Sequence, residues 1–203
     1  MKHKNCCSSN YRSGFKMTDR NELSYYSEIT HFIEMQLQSN FKVRRKNNIH
    51  IYWKIGEMKS NIEELIKEYP VECDCLKGFV RNMPPLNVDI FAVVTDEKKF
   101  ELLILEVKLR KSAGLSQWSQ LIGYCMVTDC KYGLLVNIDS GASDRLIGLL
   151  HHNTDVSRII RIKDSNQIET LLGFMQWNSK TKNFEYSGLG QLGSLNLLNK
   201  WIF

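Results

Sequence analysis

The sequence predicts an α/β domain with a central mixed β-sheet flanked by helices. Two apolar runs of strand length, Val88–Val94 and Leu102–Leu105, are separated by a short polar stretch at Thr95–Lys98, which pairs them as an antiparallel hairpin. A helical stretch at 116–127 then leads to a third apolar run at 132–138, and strand–helix–strand is the connection that parallel pairing requires. The chain has 203 residues, 43% hydrophobic and 24% charged, enough for one domain with its own core.

Residues 1–20 are polar, aperiodic and basic, and are expected to form a flexible arm. In 22–40 the apolar residues Tyr25, Tyr26, Ile29, Ile33, Met35 and Leu37 recur at spacings near three and four, which predicts a helix ending at Asn40. Residues 41–54 read as strand material broken at Asn47-Asn48. A helix follows at 59–69, with Ile62, Leu65, Ile66 and Tyr69 on one face and Pro70 ending it. Val71–Cys75 reads as a strand continued by Gly78-Phe79-Val80, before the break at Met83-Pro84-Pro85.

The central unit then runs strand 87–95, strand 99–109, helix 116–127 and strand 132–138. Beyond it come a short helix at 143–151, a strand at 157–162 and a helix at 164–175 that Asp164 or Ser165 would cap. The core domain is therefore expected over 21–175, with 176–203 as an extension packed on it. The Gly188–Gly193 run lacks the preceding strand and following helix of a phosphate-binding loop and reads as a loop.

No run approaches the roughly 18 apolar residues of a membrane span, and residues 1–16 lack an apolar signal-like core. The expectation is a cytoplasmic protein without membrane association. Of the six cysteines none has C-x-x-C spacing; Cys73 and Cys75, one residue apart, leave a metal site open beside the plainer reading of reduced thiols.

The net charge of +5 is unevenly spread. Residues 1–20 hold five bases and one acid, and residues 41–60 hold six bases and one acid. Basic clusters set apart from an acidic site suit a phosphodiester substrate, with bases on the phosphates and acids on a metal. Arg44, Arg45 and Lys46 are the expected substrate-binding residues within the second cluster.

The chemistry concentrates at the hairpin. On a strand, residues i and i+2 share a face, so Glu106 and Lys108 project together while Val107 turns into the core. Asp89 lies on the neighbouring strand, where cross-strand partners stand about 5 Å apart. Two carboxylates at that distance call for a cation between them, and hard oxygen donors without His or Cys suit Mg²⁺, with Mn²⁺ as a substitute. Lys108 is placed to orient and help deprotonate an attacking water. On the following helix Gln120 and Tyr124 share a face, and Gln117 lies one turn earlier.

Asp89, Glu106-Val107-Lys108, the helix carrying Gln120-Leu-Ile-Gly-Tyr124 and the apolar strand 132–138 together resemble the PD-(D/E)XK nuclease superfamily, over about fifty residues. The Gln-x-x-x-Tyr pattern is similar to its RecB-type branch. Two features depart from the pattern: Val88 replaces the proline that often precedes the first Asp, and the iron–sulfur cysteines of some RecB-type relatives are absent.

The resemblance implies a restriction-endonuclease-like core. It makes Asp89, Glu106, Lys108 and Gln120 catalytic, with Asp89, Glu106 and Val107 around the metal. A first-helix glutamate is expected to join them, Glu28 ahead of Glu34. Gln117 and Tyr124 are expected to meet substrate. The implied activity is metal-dependent hydrolysis of double-stranded DNA by a type II restriction-type endonuclease, acting as a homodimer because one site cuts one strand. The alternatives are a repair or recombination nuclease, a junction resolvase, or a non-catalytic nucleic-acid-binding protein with a relic site.

Overall fold

A computed structural model describes residues 21–45, 49–69, 74–96, 99–163, 165–185 and 187–202. The expected basic arm at 1–20 lies outside them, as do Lys46 and Cys73 and the side chains of Arg44, Arg45 and Cys75.

The sheet is mixed, as expected. It contains β1 (His50–Glu57), β2 (Asn87–Thr95), β3 (Phe100–Lys108), β4 (Tyr132–Ile138), β5 (Arg158–Lys163) and β6 (Asn166–Asn178) in the order β1-β2-β3-β4-β6-β5. The β1–β2–β3 meander is antiparallel, β3, β4 and β6 run parallel, and β5 returns antiparallel on β6. Two short strands, β7 (Asn183–Phe184) and β8 (Leu189–Gly190), also pair with β6.

Both faces of the sheet are covered, so the central strands are apolar on both sides. One face packs on α1 (Leu23–Arg45) and α6 (Leu195–Trp201) through Tyr26, Ile29, Ile33, Leu105, Val107, Val136 and Leu198. The other packs on α2 (Met58–Glu68), α3 (Asp74–Arg81), α4 (Leu115–Val127) and α5 (Asp144–His152) through Met58, Leu76, Phe91, Ile104, Trp118 and Leu146.

Three elements differ from the sequence reading. Phe41–Arg45 continues α1 instead of starting a strand: Phe41 falls four residues after Leu37 on the buried stripe, and both are buried. Residues 74–81 form a helix, since Leu76 and Val80 at i and i+4 reach the α2 side together. Residues 166–178 form the 13-residue strand β6 instead of a helix. Thr170, Leu171, Leu172, Phe174, Met175 and Trp177 are buried on both faces, a pattern that fits an interior strand. Ser165, read as a helix cap, adopts φ +66° in the tight β5–β6 turn instead. The domain boundary expected after residue 175 consequently falls inside β6, and the C-terminal segment is joined to the core by strand pairing.

The glycine run packs against this strand. Gly190 has φ +79° and pairs with Gly173 of β6, where any Cβ would meet the Leu192 carbonyl well inside van der Waals distance. A Gly173→Ala variant is expected to lose about 2–3 kcal/mol of stability, read as a lower urea midpoint.

Among the described residues no helix is long and apolar enough to cross a membrane.

Candidate active site

β2 and β3 part company after the pair Ile90–Leu105: β2 continues alongside β1, while Glu106, Val107 and Lys108 continue alongside β4. The cleft that opens holds Asp89 on one wall and Glu106 and Lys108 on the other. The pairing of β1 with β2 slips at the same level, with Ile55 opposite Ile90 but Gly56 opposite Val88. Asp89 is the extra residue of that bulge, a device that re-aims a side chain out of the regular alternation. Gly56 supplies the left-handed φ of +86° that the slip requires.

The three side chains converge. Lys108 Nζ lies 2.8 Å from Asp89 Oδ2 and 2.6 Å from Glu106 Oε1. The Val107 N–H, left without a β2 partner by the parting of the strands, donates to Asp89 Oδ2 at 2.9 Å. Glu106 is fully buried and its Oε2 has no hydrogen-bond partner, whereas the Lys108 and Asp89 side chains are 14% and 24% exposed. Solvent therefore reaches the group past Asp89 and Lys108, with Glu106 at its base.

The electrostatics follow from that placement. Burial, with Asp89 adding repulsion, pushes the Glu106 carboxyl up to about 7 in spite of the Lys108 ammonium beside it. Burial alone would lower the Lys108 ammonium, but Asp89 and Glu106 outweigh it and raise its pKa. Lys108 thus stays protonated at neutral pH. In that state it is a charged donor to both carboxylates.

The first-helix acid that arrives here is neither Glu28 nor Glu34. Glu28 Oε1 pairs with Lys182 Nζ at 3.1 Å, and Glu34 accepts from Gln38 on the exposed surface. Glu22, just before α1, accepts from the Leu109 N–H at 3.0 Å, one residue beyond Lys108, and its charge acts on Glu106 and on Tyr26. The signal was present in the sequence: Glu22 precedes Tyr26 by four residues and shares its face, while Glu28 is about 200° around the helix from Tyr26.

The α4 residues divide. Gln117 Oε1 accepts from the Gly114 N–H at 3.0 Å and so closes the helix N-terminus, a structural task instead of the expected substrate contact. Gln120 is exposed, and its Nε2 donates to the Tyr124 hydroxyl at 2.6 Å. Tyr124 is half-buried against the core, and neither residue touches Asp89, Glu106 or Lys108 through a described hydrogen bond.

Arg44 and Arg45 stand at the far end of α1, about 33 Å along its axis from Glu22 at 1.5 Å per residue. Exposed Arg110 and Lys111, in contrast, follow Lys108 directly. They fall outside both basic clusters picked out by charge counting, and only their place directly after β3 distinguishes them.

The loop that carries them is fastened by Asn137, which is fully buried opposite Lys108 on β4. Its Nδ2 donates to the carbonyls of Arg110 at 3.0 Å, Ser140 at 3.0 Å and Gly141 at 3.2 Å, and its Oδ1 accepts from the Arg110 N–H at 3.2 Å. Ala113 completes the join through backbone bonds to Gly141 and Ser143. An Asn137→Ala variant would strand several buried backbone groups, and a loss of about 3 kcal/mol in urea unfolding is expected.

Among the described residues no group of three or more His, Cys, Asp or Glu side chains forms a metal cage. The donors present still suit a hard divalent cation. Mg²⁺ keeps several waters and needs only one or two carboxylates. Asp89 and Glu106 already share one positive group, and Glu106 Oε2 is a buried acceptor with nothing to accept. Elsewhere, a groove of about 440 Å³ is lined by Phe79, Phe100, Asp129 and Lys163, and the last two form an ion pair with each other.

The chain matches no family model, no curated protein and no solved structure.

Proposed function

We propose that the chain is a metal-dependent deoxyribonuclease, with Asp89, Glu106 and Lys108 as its catalytic group. The observation that carries the reading is the meeting of Asp89 and Glu106 at Lys108 Nζ, where β2 and β3 separate. A purely structural role would not require a fully buried carboxylate with one oxygen unpartnered, which is costly unless the site uses it.

Asp89 and Glu106 would hold Mg²⁺, or Mn²⁺ in its place, with the Val107 main chain between them. The cation would supply neutralisation of the charge that develops at the phosphate. Lys108, kept protonated by its two acids, presents an ammonium to the same phosphate and to the attacking water. Glu106 must give up its proton for the site to hold a cation, so metal affinity rises with pH up to about 7. Arg110 and Lys111 are the phosphate contacts nearest the chemistry. Arg44 and Arg45 are too far along α1 to touch the scissile phosphate and would meet a duplex roughly one turn away.

Within this activity the leading assignment is a type II restriction-type endonuclease on double-stranded DNA, working as a homodimer. Incubation with Mg²⁺ and a panel of plasmid, single-stranded, branched and RNA substrates tests it. Discrete plasmid fragments are expected. Selective cutting of branched DNA would move the assignment to a resolvase or repair enzyme, and no cleavage of any substrate would overturn the nuclease reading.

A further inference from the structure

Lys108 stands beside Asn137 of β4, and Asn137 beside Gln176 of β6. The three mark one level near the carboxyl ends of the parallel strands, the end at which ligands reach open α/β sheets. β6 runs on past that level. It pairs Trp177 with Phe184 and Asn178 with Asn183, and residues 179–182 form the turn between β6 and β7. The turn therefore projects beyond the same edge of the sheet as Lys108. Strands lie about 4.8 Å apart and rise about 3.3 Å per residue, so two strands across and four residues along put the Lys180 backbone within about 16 Å of that of Lys108. That is about half a turn of a DNA duplex.

The turn is held by its neighbours. Asp139, directly after β4 and at φ +56°, accepts from the Ser179 N–H at 2.7 Å and from the Ser179 hydroxyl at 2.6 Å. Asn178 Oδ1 accepts from the N–H groups of Lys180 and Thr181, both at 3.0 Å. Lys182 Nζ lies 3.1 Å from Glu28 Oε1 on α1. Asp139 and Glu28 are thus already engaged, by Ser179 and Lys182. The Lys180 side chain is exposed and has no ion-pair partner among the described residues. Asn137 ties the loop of Arg110 to Ser140 and Gly141, and Asp139 ties the start of that same loop to Ser179. The loops after β3, β4 and β6 form one joined rim, with Arg110, Lys111 and Lys180 as exposed cations along it.

We propose that the turn at 179–182 is a phosphate-binding element, on which Lys180 contacts the DNA backbone about half a turn from the scissile phosphate. The proposal rests on the nuclease reading and extends its substrate surface to a segment outside both basic clusters. A cation on a fastened turn has less freedom to lose on binding than one on a free loop.

The test uses the full chain and a fluorescein-labelled duplex of mixed sequence, with anisotropy read across a salt series in chelator-containing buffer. Lys180→Gln is compared with wild type and with Lys131→Gln, which removes the same charge from the opposite end of the sheet, where Lys131 pairs with Glu101. Lys180→Gln is expected to flatten the slope of log affinity against log salt by about 0.9, the share of one phosphate contact, which makes binding about 8-fold weaker at 0.1 M salt than at an unscreened reference of 1 M. Plasmid cleavage at sub-saturating DNA should fall by a similar factor, and Lys131→Gln should keep the wild-type slope. A wild-type slope in Lys180→Gln, or an equal change in both variants, would overturn the proposal while wild-type cleavage upholds the nuclease reading. Wild-type protein that neither binds the duplex nor cuts plasmid would remove the nuclease reading, and the phosphate contact with it.

Discussion

Glu106→Gln is expected to make the protein more stable and to abolish its activity. The fully buried Glu106 carboxyl titrates at about 7 in the folded chain against 4.5 for the unperturbed group. Between those values the folded state holds a proton that the unfolded state has lost, so stability falls as pH rises through this window and is flat above it. At 1.36 kcal/mol per unit the total is about 3 kcal/mol. Lys108, whose pKa is raised above 10.5, keeps its charge throughout the window and adds no slope there. Glutamine has nearly the same shape and no charge to bury. In a chelator-containing buffer the variant should match wild type near pH 4.5 and exceed it by up to about 3 kcal/mol at pH 8. Urea unfolding at the two pH values measures this directly. Cleavage should nevertheless fall by at least about 10³-fold, because the ligand that would carry the cation's charge is gone.

Lys108→Met is expected to move stability the other way. The ammonium is the charge partner of both carboxylates, at 2.8 and 2.6 Å. Removing it leaves Glu106 fully buried beside Asp89 with no cation between them. Breaking a buried ion pair from one side typically costs about 3–5 kcal/mol. The loss should be largest at pH 8, where Glu106 must otherwise ionise, and smaller near pH 5, where it carries a proton. Mg²⁺ should recover part of it by binding the freed carboxylates. The Glu106→Gln/Lys108→Met double variant should be far more stable than the sum of the two single effects predicts, since the buried charge that makes the second change costly is then absent. Activity should be lost in both single variants and in the double.

How much of this was readable in the chain depends on how local each signal is. Glu106 and Lys108 follow from the two-residue period of a strand, and the bounds of β2 and β4 coincide with the strands expected at 87–95 and 132–138. The hairpin turn then puts Asp89 on the adjacent strand. The slip that aims it, opposite Gly56, depends on how β1 pairs and leaves no mark in residues 87–95. Glu22 was legible by helix arithmetic from Tyr26, but only once the face of Tyr26 was known to meet the site. The failure at β6 has a different cause: Asp164 and Ser165 serve equally as a helix cap or a turn, and an apolar run buried on both sides has no period to separate helix from strand. The separation of Arg44 and Arg45 from the site is a consequence of α1 running on past Asn40, where Phe41 continues the buried stripe.

The most direct test of the account is Mg²⁺-dependent cleavage of duplex DNA by wild type, Glu106→Gln and Lys108→Met, assayed beside their unfolding curves. The account predicts cleavage by wild type alone, with the two inactive variants lying on opposite sides of wild type in stability at pH 8. Cleavage by Glu106→Gln at the wild-type rate would show that the chemistry lies elsewhere and would contradict it.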